Sequence, residues 1–132
     1  MSQENVELSH RAAEAFNERD LDAFLALQAD DVEGVPLASD MEGGYHGHAG
    51  TRRWWAAQFD SFPDLTIEVV GMRDPGDITI ASLRMRGHGA GGAVPVDMTI
   101  WRVSRWRDGK CTWWGSFRSE EDALDAIGLS QA

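Results

Sequence analysis

"AFNERDLDAFLALQADDVEG", residues 15–34, passes from a helix-forming stretch through a charged interruption into a second short helical stretch and ends on paired aspartates. Upstream, Val6, Ser9, Ala13 and Phe16 recur every three or four positions with Ala12 beside them, while Glu4, Glu7, Arg11, Glu14 and Glu18 fall elsewhere. That spacing predicts an amphipathic helix over residues 4–17. Asn17 and Asp20 have side chains that bond the local backbone, so "NERD" reads as a hinge, with Asp20 capping a second helix that carries Leu21, Phe24, Leu25 and Leu27. Carboxylates are unfavourable at the negative end of a helix, so Asp30 and Asp31 mark its stop, and Val32 and Val35 favour the short strand that follows.

Residues 36–47, "PLASDMEGGYHG", read as a loop. In "AGTRRWWAAQFDSF" Trp55, Phe59 and Phe62 form a helical stripe with Trp54 adjacent and Arg52, Arg53 and Gln58 off it, which predicts a third helix closed by Pro63. From Leu65 the texture changes. "LTIEVVGM", "ITIASLRMRGH", "VDMTIWRVSRW" and "CTWWGSF" are extended runs separated by "DPGD", "GAGGAVP" and "RDGK", which predicts four strands joined by hairpins. Ser119 then caps a short helix bearing Leu124 and Ile127 that Gly128 ends. The expected fold class is α+β: a single domain over residues 1–132, with a four-stranded antiparallel meander and a short strand curled over three N-terminal helices, and a short C-terminal helix.

Composition narrows the function classes. An apolar fraction of 42% with six Trp and five Phe is that of a packed, soluble globule, and no apolar run reaches the roughly 18 residues of a membrane span, so no membrane partner is expected. A formal charge of −10, without basic residues clustered among aromatics, argues against nucleic acid. Residues 1–20 lack the apolar stretch of a secretion signal, and Cys111 as the only cysteine permits no intrachain disulfide; a cytoplasmic location is the expectation.

The stretch 4–33, "ENVELSHRAAEAFNERDLDAFLALQADDVE", together with "YHGHAGTRRWW" at 45–55, "WRDGK" at 106–110 and "EEDALDAIGL" at 120–129, resembles SnoaL-like proteins of the nuclear transport factor 2-like, cystatin-like superfamily, its uncharacterised bacterial branch. The resemblance implies a cone-shaped curled sheet with an apolar pocket open at one end, and a homodimer through the outer face of the sheet. It implies a cofactor-independent isomerase, cyclase or hydrolase acting by acid/base catalysis on a small apolar carbonyl compound. A non-catalytic small-molecule binder or dimerising protein using the same pocket is the other reading.

The family's catalytic patterns are not all present. Where a ketosteroid isomerase has its general base, this chain has Val35 and Pro36, and Ala12 or Ala13 stands at the helix-one tyrosine position. "RMRGH" at 84–88 lacks the Asp that the limonene epoxide hydrolase pattern requires. On the strand 94–106, Val96, Met98, Ile100 and Arg102 share one face and Asp97, Thr99 and Trp101 the other, and the first is the expected core face. There Arg102 can hold a carboxylate or polarise a carbonyl or enolate; otherwise it snorkels to solvent or pairs with a core carboxylate. With the opposite phase, Asp97 would point inward as an acid or base of raised pKa. The catalytic candidates are therefore Arg102, Asp97, His46 and Tyr45, with the last two as hydrogen-bond or proton-transfer groups beside the pocket mouth. His46 and His48 lack a third metal ligand nearby, so no metal is expected, and the resemblance implies no cofactor. Glu33 and Asp40 are further acids near the mouth. Phe16, Trp55, Phe59, Met98 and Trp114 are the expected lining for a flat apolar ligand. Only one of Trp113 and Trp114 can face inward, and the other, with Trp101, is expected to mark a dimer interface on the outer face.

Overall fold

The computed structural model describes residues 2–37, 44–92 and 94–128. The element order is α1 (Ser2–Asn17), α2 (Leu21–Ala26), β1 (Gln28–Val35), β2 (Tyr45–His46), α3 (Gly47–Ser61), β3 (Thr66–Arg73), β4 (Ile78–His88), β5 (Pro95–Arg107), β6 (Lys110–Phe117) and α4 (Glu120–Ala126). One six-stranded, curled and unclosed sheet has the order β2-β1-β6-β5-β4-β3. Helix α1 lies against β3 and β4, α3 against β1 and β2, and α4 against β5 and β6.

The charged knot is a hinge with long-range anchors. Arg19 takes a left-handed backbone (φ 59°), and Asp20 Oδ1 accepts the Ala23 N–H at 3.1 Å to start α2. Asn17 exchanges two bonds with the backbone of Ile67, donating to its carbonyl at 2.8 Å and accepting its N–H at 2.9 Å. The Arg19 guanidinium donates to the Pro63 carbonyl at 2.9 Å and lies 3.8 Å from the Phe59 ring centroid. A sequence that looks like a local turn thus ties the end of α1 both to β3 and to the exit of α3.

The meander is as expected, and "RDGK" turns with Asp108 (φ 54°) and Gly109 (φ 78°) both left-handed, as a two-residue hairpin needs. Ser119 Oγ accepts the Asp122 N–H at 3.1 Å to cap α4. Three expectations are corrected. The sheet is mixed, because β1 runs parallel to β6. A sixth strand, β2, lies inside the stretch read as loop: its two residues pair with Glu33 and Gly34, which is too short for any alternation to signal. Helix α2 stops at Ala26, before the aspartates, where Lys110 Nζ donates to its carbonyl at 2.8 Å and Cys111 N–H to that of Leu27 at 2.8 Å. Asp40 lies outside the described residues.

Burial follows strand parity. On β4 and β5 one parity faces the helices and the other faces out, where Ile78, Ile80 and Val103 are buried beneath Ala123 and Leu124 of α4. Trp101, Trp113 and Phe117 pack around that cluster and remain half-buried, so α4 is an intrachain partner for the two outward tryptophans. On the inner side, Thr79 is fully buried and its hydroxyl meets two partners: the Trp106 indole N–H donates to it at 2.9 Å, and Ser9 Oγ lies 2.7 Å away. Thr79→Val keeps the shape and strands that indole donor, so urea unfolding should show a loss of about 1–3 kcal/mol. A change below about 0.5 kcal/mol would show that the indole does not depend on Thr79.

Candidate functional site

The inner parity of the sheet and the helices enclose a cavity of about 800 Å³. Strand β5 supplies Val96, Met98, Ile100, Arg102, Ser104 and Trp106, every second residue, as the pleat requires. Helix α1 supplies Ser9, Ala12, Ala13 and Phe16, the face read from its periodicity, while Leu8 and Ala15 pack beside it in the core. The wall runs from exposed Arg53, Ala57 and Ser61 at the rim to buried Phe24, Trp54, Trp114 and Ser116 inside.

Arg102 is set into the inner wall. Its cross-strand neighbours are Ala81 and Ser116, and its Nε donates to Ser116 Oγ at 3.0 Å. The guanidinium carbon lies 4.5 Å from the Trp114 ring centroid and 5.4 Å from that of Trp54, so aromatic faces take part of its charge. Among the described residues it makes no salt bridge. Burial pushes its pKa down to about 10, which leaves it protonated at neutral pH. Cys111, in the same wall, is buried, and that burial pushes its thiol up to about 12. Two further buried polar atoms of the wall, Gln28 Oε1 and Trp114 Nε1, have no hydrogen-bond partner among the described residues.

The other sequence candidates divide. Tyr45 lines the cavity from β2, and Phe16, Met98 and Trp114 line it as expected. Asp97 does not: it is on the outer face, where Oδ1 and Oδ2 accept from Arg84 Nε and Nη2, both at 3.0 Å. Those bonds hold its carboxyl below the usual range, the opposite of the raised pKa that an inward phase would have produced. His46 is exposed and turned to Glu33, with Nδ1 3.8 Å from Oε2, and does not line the cavity. His48 instead places Nε2 3.0 Å from the Gln28 carbonyl, so the two histidines do not converge. Trp55 and Phe59 lie behind the wall: Trp55 packs on Phe16, Phe24 and Phe59 at centroid distances of 5.4, 5.1 and 5.3 Å. Trp54 takes the expected place of Trp55, because α3 is rotated by one residue relative to its apparent stripe. Gln28, Arg53, Ser104, Cys111 and Ser116 also line the cavity without having been singled out; for Ser104 the parity of β5 was an available signal.

The geometry has known company. A family model of the SnoaL-like domain matches residues 10–114, and the chain belongs to that family. No curated protein matches the chain significantly. Among solved structures, an NTF2-like protein of unknown function from Burkholderia pseudomallei is 18% identical with a TM-score of 0.78, the match covering 95% of this chain and 98% of that one. A cystatin-fold protein from Novosphingobium aromaticivorans is 21% identical with a TM-score of 0.74, covering 89% and 99%. A candidate SnoaL-like polyketide cyclase from Jannaschia is 19% identical with a TM-score of 0.78, covering 99% and 94%. At these identities the likeness shows the fold.

Arg102 costs stability where it stands, since a half-buried cation without a counter-charge among the described residues carries part of a desolvation penalty that one hydroxyl and two ring faces only partly offset. Arg102→Met should therefore melt at or above the wild-type temperature, with an unfolding free energy equal or up to about 3 kcal/mol higher. A loss of more than about 1 kcal/mol would identify Arg102 as a structural anchor instead.

Proposed function

We propose that this SnoaL-like chain is a cofactor-independent enzyme of the isomerase, cyclase or hydrolase kind, acting on a small, flat, mainly apolar carbonyl compound inside the cavity. The observation that carries this reading is a protonated Arg102 set in an apolar wall without a carboxylate partner among the described residues. A guanidinium in that position stabilises negative charge as it develops on a carbonyl oxygen when an α-proton leaves, and low polarity around it strengthens the effect. Tyr45 is the proton-transfer group that this reading assigns: its phenol donates a proton to the developing oxyanion, and water that enters the open cavity with the substrate takes the α-proton. Trp54, Trp114, Met98 and Phe16 supply the flat, soft surface that holds the ring system of the substrate.

A second reading has its own observation. Among the described lining residues there is no Asp, Glu or His, the usual general bases. In that reading the cavity binds and retains the molecule without turning it over. On either reading we propose that the chain acts as a homodimer, joined through the outer face of the sheet where Trp101 and Trp113 remain half-exposed; light scattering should give twice 14.6 kDa, and a monomer would remove the dimer.

Hydrogen–deuterium exchange at the α-carbon of aromatic ketones and 1,3-diketones in D₂O, followed by mass spectrometry, separates the two readings. The enzyme reading expects catalysed exchange with at least one compound, and a loss of roughly 10²–10³-fold in Arg102→Met, the effect of removing one oxyanion donor. Binding without exchange in any compound would support the retaining reading and end the catalytic one.

A further inference from the structure

In a chain with 22 acidic and 12 basic residues, the described wall of the cavity holds two arginines, Arg53 at the rim and Arg102 inside, and no Asp, Glu or His. This inverts the charge balance of the rest of the molecule. The inversion has a chemical consequence, because a neutral carbonyl ligand needs only a hydrogen-bond donor, which a Tyr, Ser or Asn provides without the cost of a buried charge. Arg102 has a planar fork of donors, only one of which is engaged by an acceptor among the described residues, Ser116 Oγ. Its remaining N–H groups have no carboxylate among the described residues, and Trp54 and Trp114 cover it with ring faces that accept no more than part of the charge.

Resting on the reading of the cavity given above, we infer that the molecule it receives is an organic monoanion: a flat, mainly apolar compound with one ionised oxygen group, a carboxylate or an acidic enol, that pairs with the guanidinium of Arg102. Such a group accepts from the free edge of the fork in two parallel bonds and neutralises the half-buried cation, while the apolar remainder covers Trp54, Trp114 and Met98. Arg53 at the exposed rim adds local attraction at the entrance of an otherwise acidic protein. The excess charge of the wall is thereby matched by the ligand and not by the protein, which separates this proposal from one in which Arg102 merely polarises a neutral substrate.

The test uses three probes of similar size and shape with the intact chain: 2-naphthoate, the acidic enol 2-hydroxy-1,4-naphthoquinone, and the neutral 2-naphthamide. Binding is measured by isothermal titration calorimetry at a pH where both acids are ionised. The expected result is that at least one anion binds roughly tenfold or more tightly than the amide, the difference of one charge-assisted pair; which anion it is tells a carboxylate from an enolate. Arg102→Met should erase that preference while still binding the amide. Equal affinity for all three in the wild-type chain overturns the monoanion and leaves the apolar cavity reading standing. Failure of all three to bind overturns both. Because the wild-type comparison needs no variant, the outcome does not depend on Arg102→Met folding, and an anion preference that persists in a folded Arg102→Met would remove Arg102 from its assigned role.

Discussion

The two faces of β5 are the constraint on which the site depends. This strand is hydrogen-bonded on both sides, to β4 over its whole length and to β6 over its second half, so its register cannot slip without moving every side chain to the opposite face. One parity is committed to the cavity through Met98, Ile100, Arg102 and Ser104. The other is committed to the outer side, where Val103 is buried beneath α4 and Asp97 pairs with Arg84. The separation of a cation inside from a carboxylate outside on one strand is a direct product of this alternation. Two apolar layers on opposite sides of one strand, the helix-facing core and the α4 patch, hold that register together.

Within that frame the cavity wall combines closely packed rings with unsatisfied polar groups. The aromatic cluster of Phe16, Phe24, Trp54 and Trp55 is closely packed, with ring centroids 5.1–5.9 Å apart for the pairs that join them. The same wall holds the Arg102 guanidinium and two buried polar atoms, Gln28 Oε1 and Trp114 Nε1, without a hydrogen-bond partner among the described residues. Each unpartnered buried polar group costs on the order of 1–3 kcal/mol, and proteins tolerate such costs chiefly where function needs the group. Unsatisfied polar groups set beside closely packed rings in one wall are the physical basis for reading the cavity as a binding site and not as a packing defect.

Legibility in the sequence was uneven for identifiable reasons. The hinge at residues 17–20 was readable because Asp20 caps through a bond to Ala23, three residues away, and such local chemistry depends little on the remainder of the chain. The docking of Asn17 onto Ile67 was not, because the two are 50 positions apart. On β5, period-two alternation put Arg102 on the correct side. On α3, two adjacent tryptophans and Phe59 fit the helical stripe nearly equally well, and the choice between Trp54 and Trp55 rests on how the helix is rotated against β1 and β2. His46 and Tyr45 are neighbours in a two-residue strand, so one of them had to face away from the cavity; the pairing of β2 with β1 decided which.

The sequence by itself determined the kinds of elements, most of their ends, the meander and the face of β5 that carries Arg102, since propensity, capping and alternation act over a few residues. Tertiary structure decided the parallel pairing of β1 with β6, the addition of β2, the rotation of α3 and the isolation of Arg102 from any described carboxylate. All four depend on contacts between residues far apart in the chain. An unpaired charge in a cavity wall in particular has no local signature: it is a property of everything that packs around it, and only the assembled sheet and helices show that no described carboxylate pairs with Arg102.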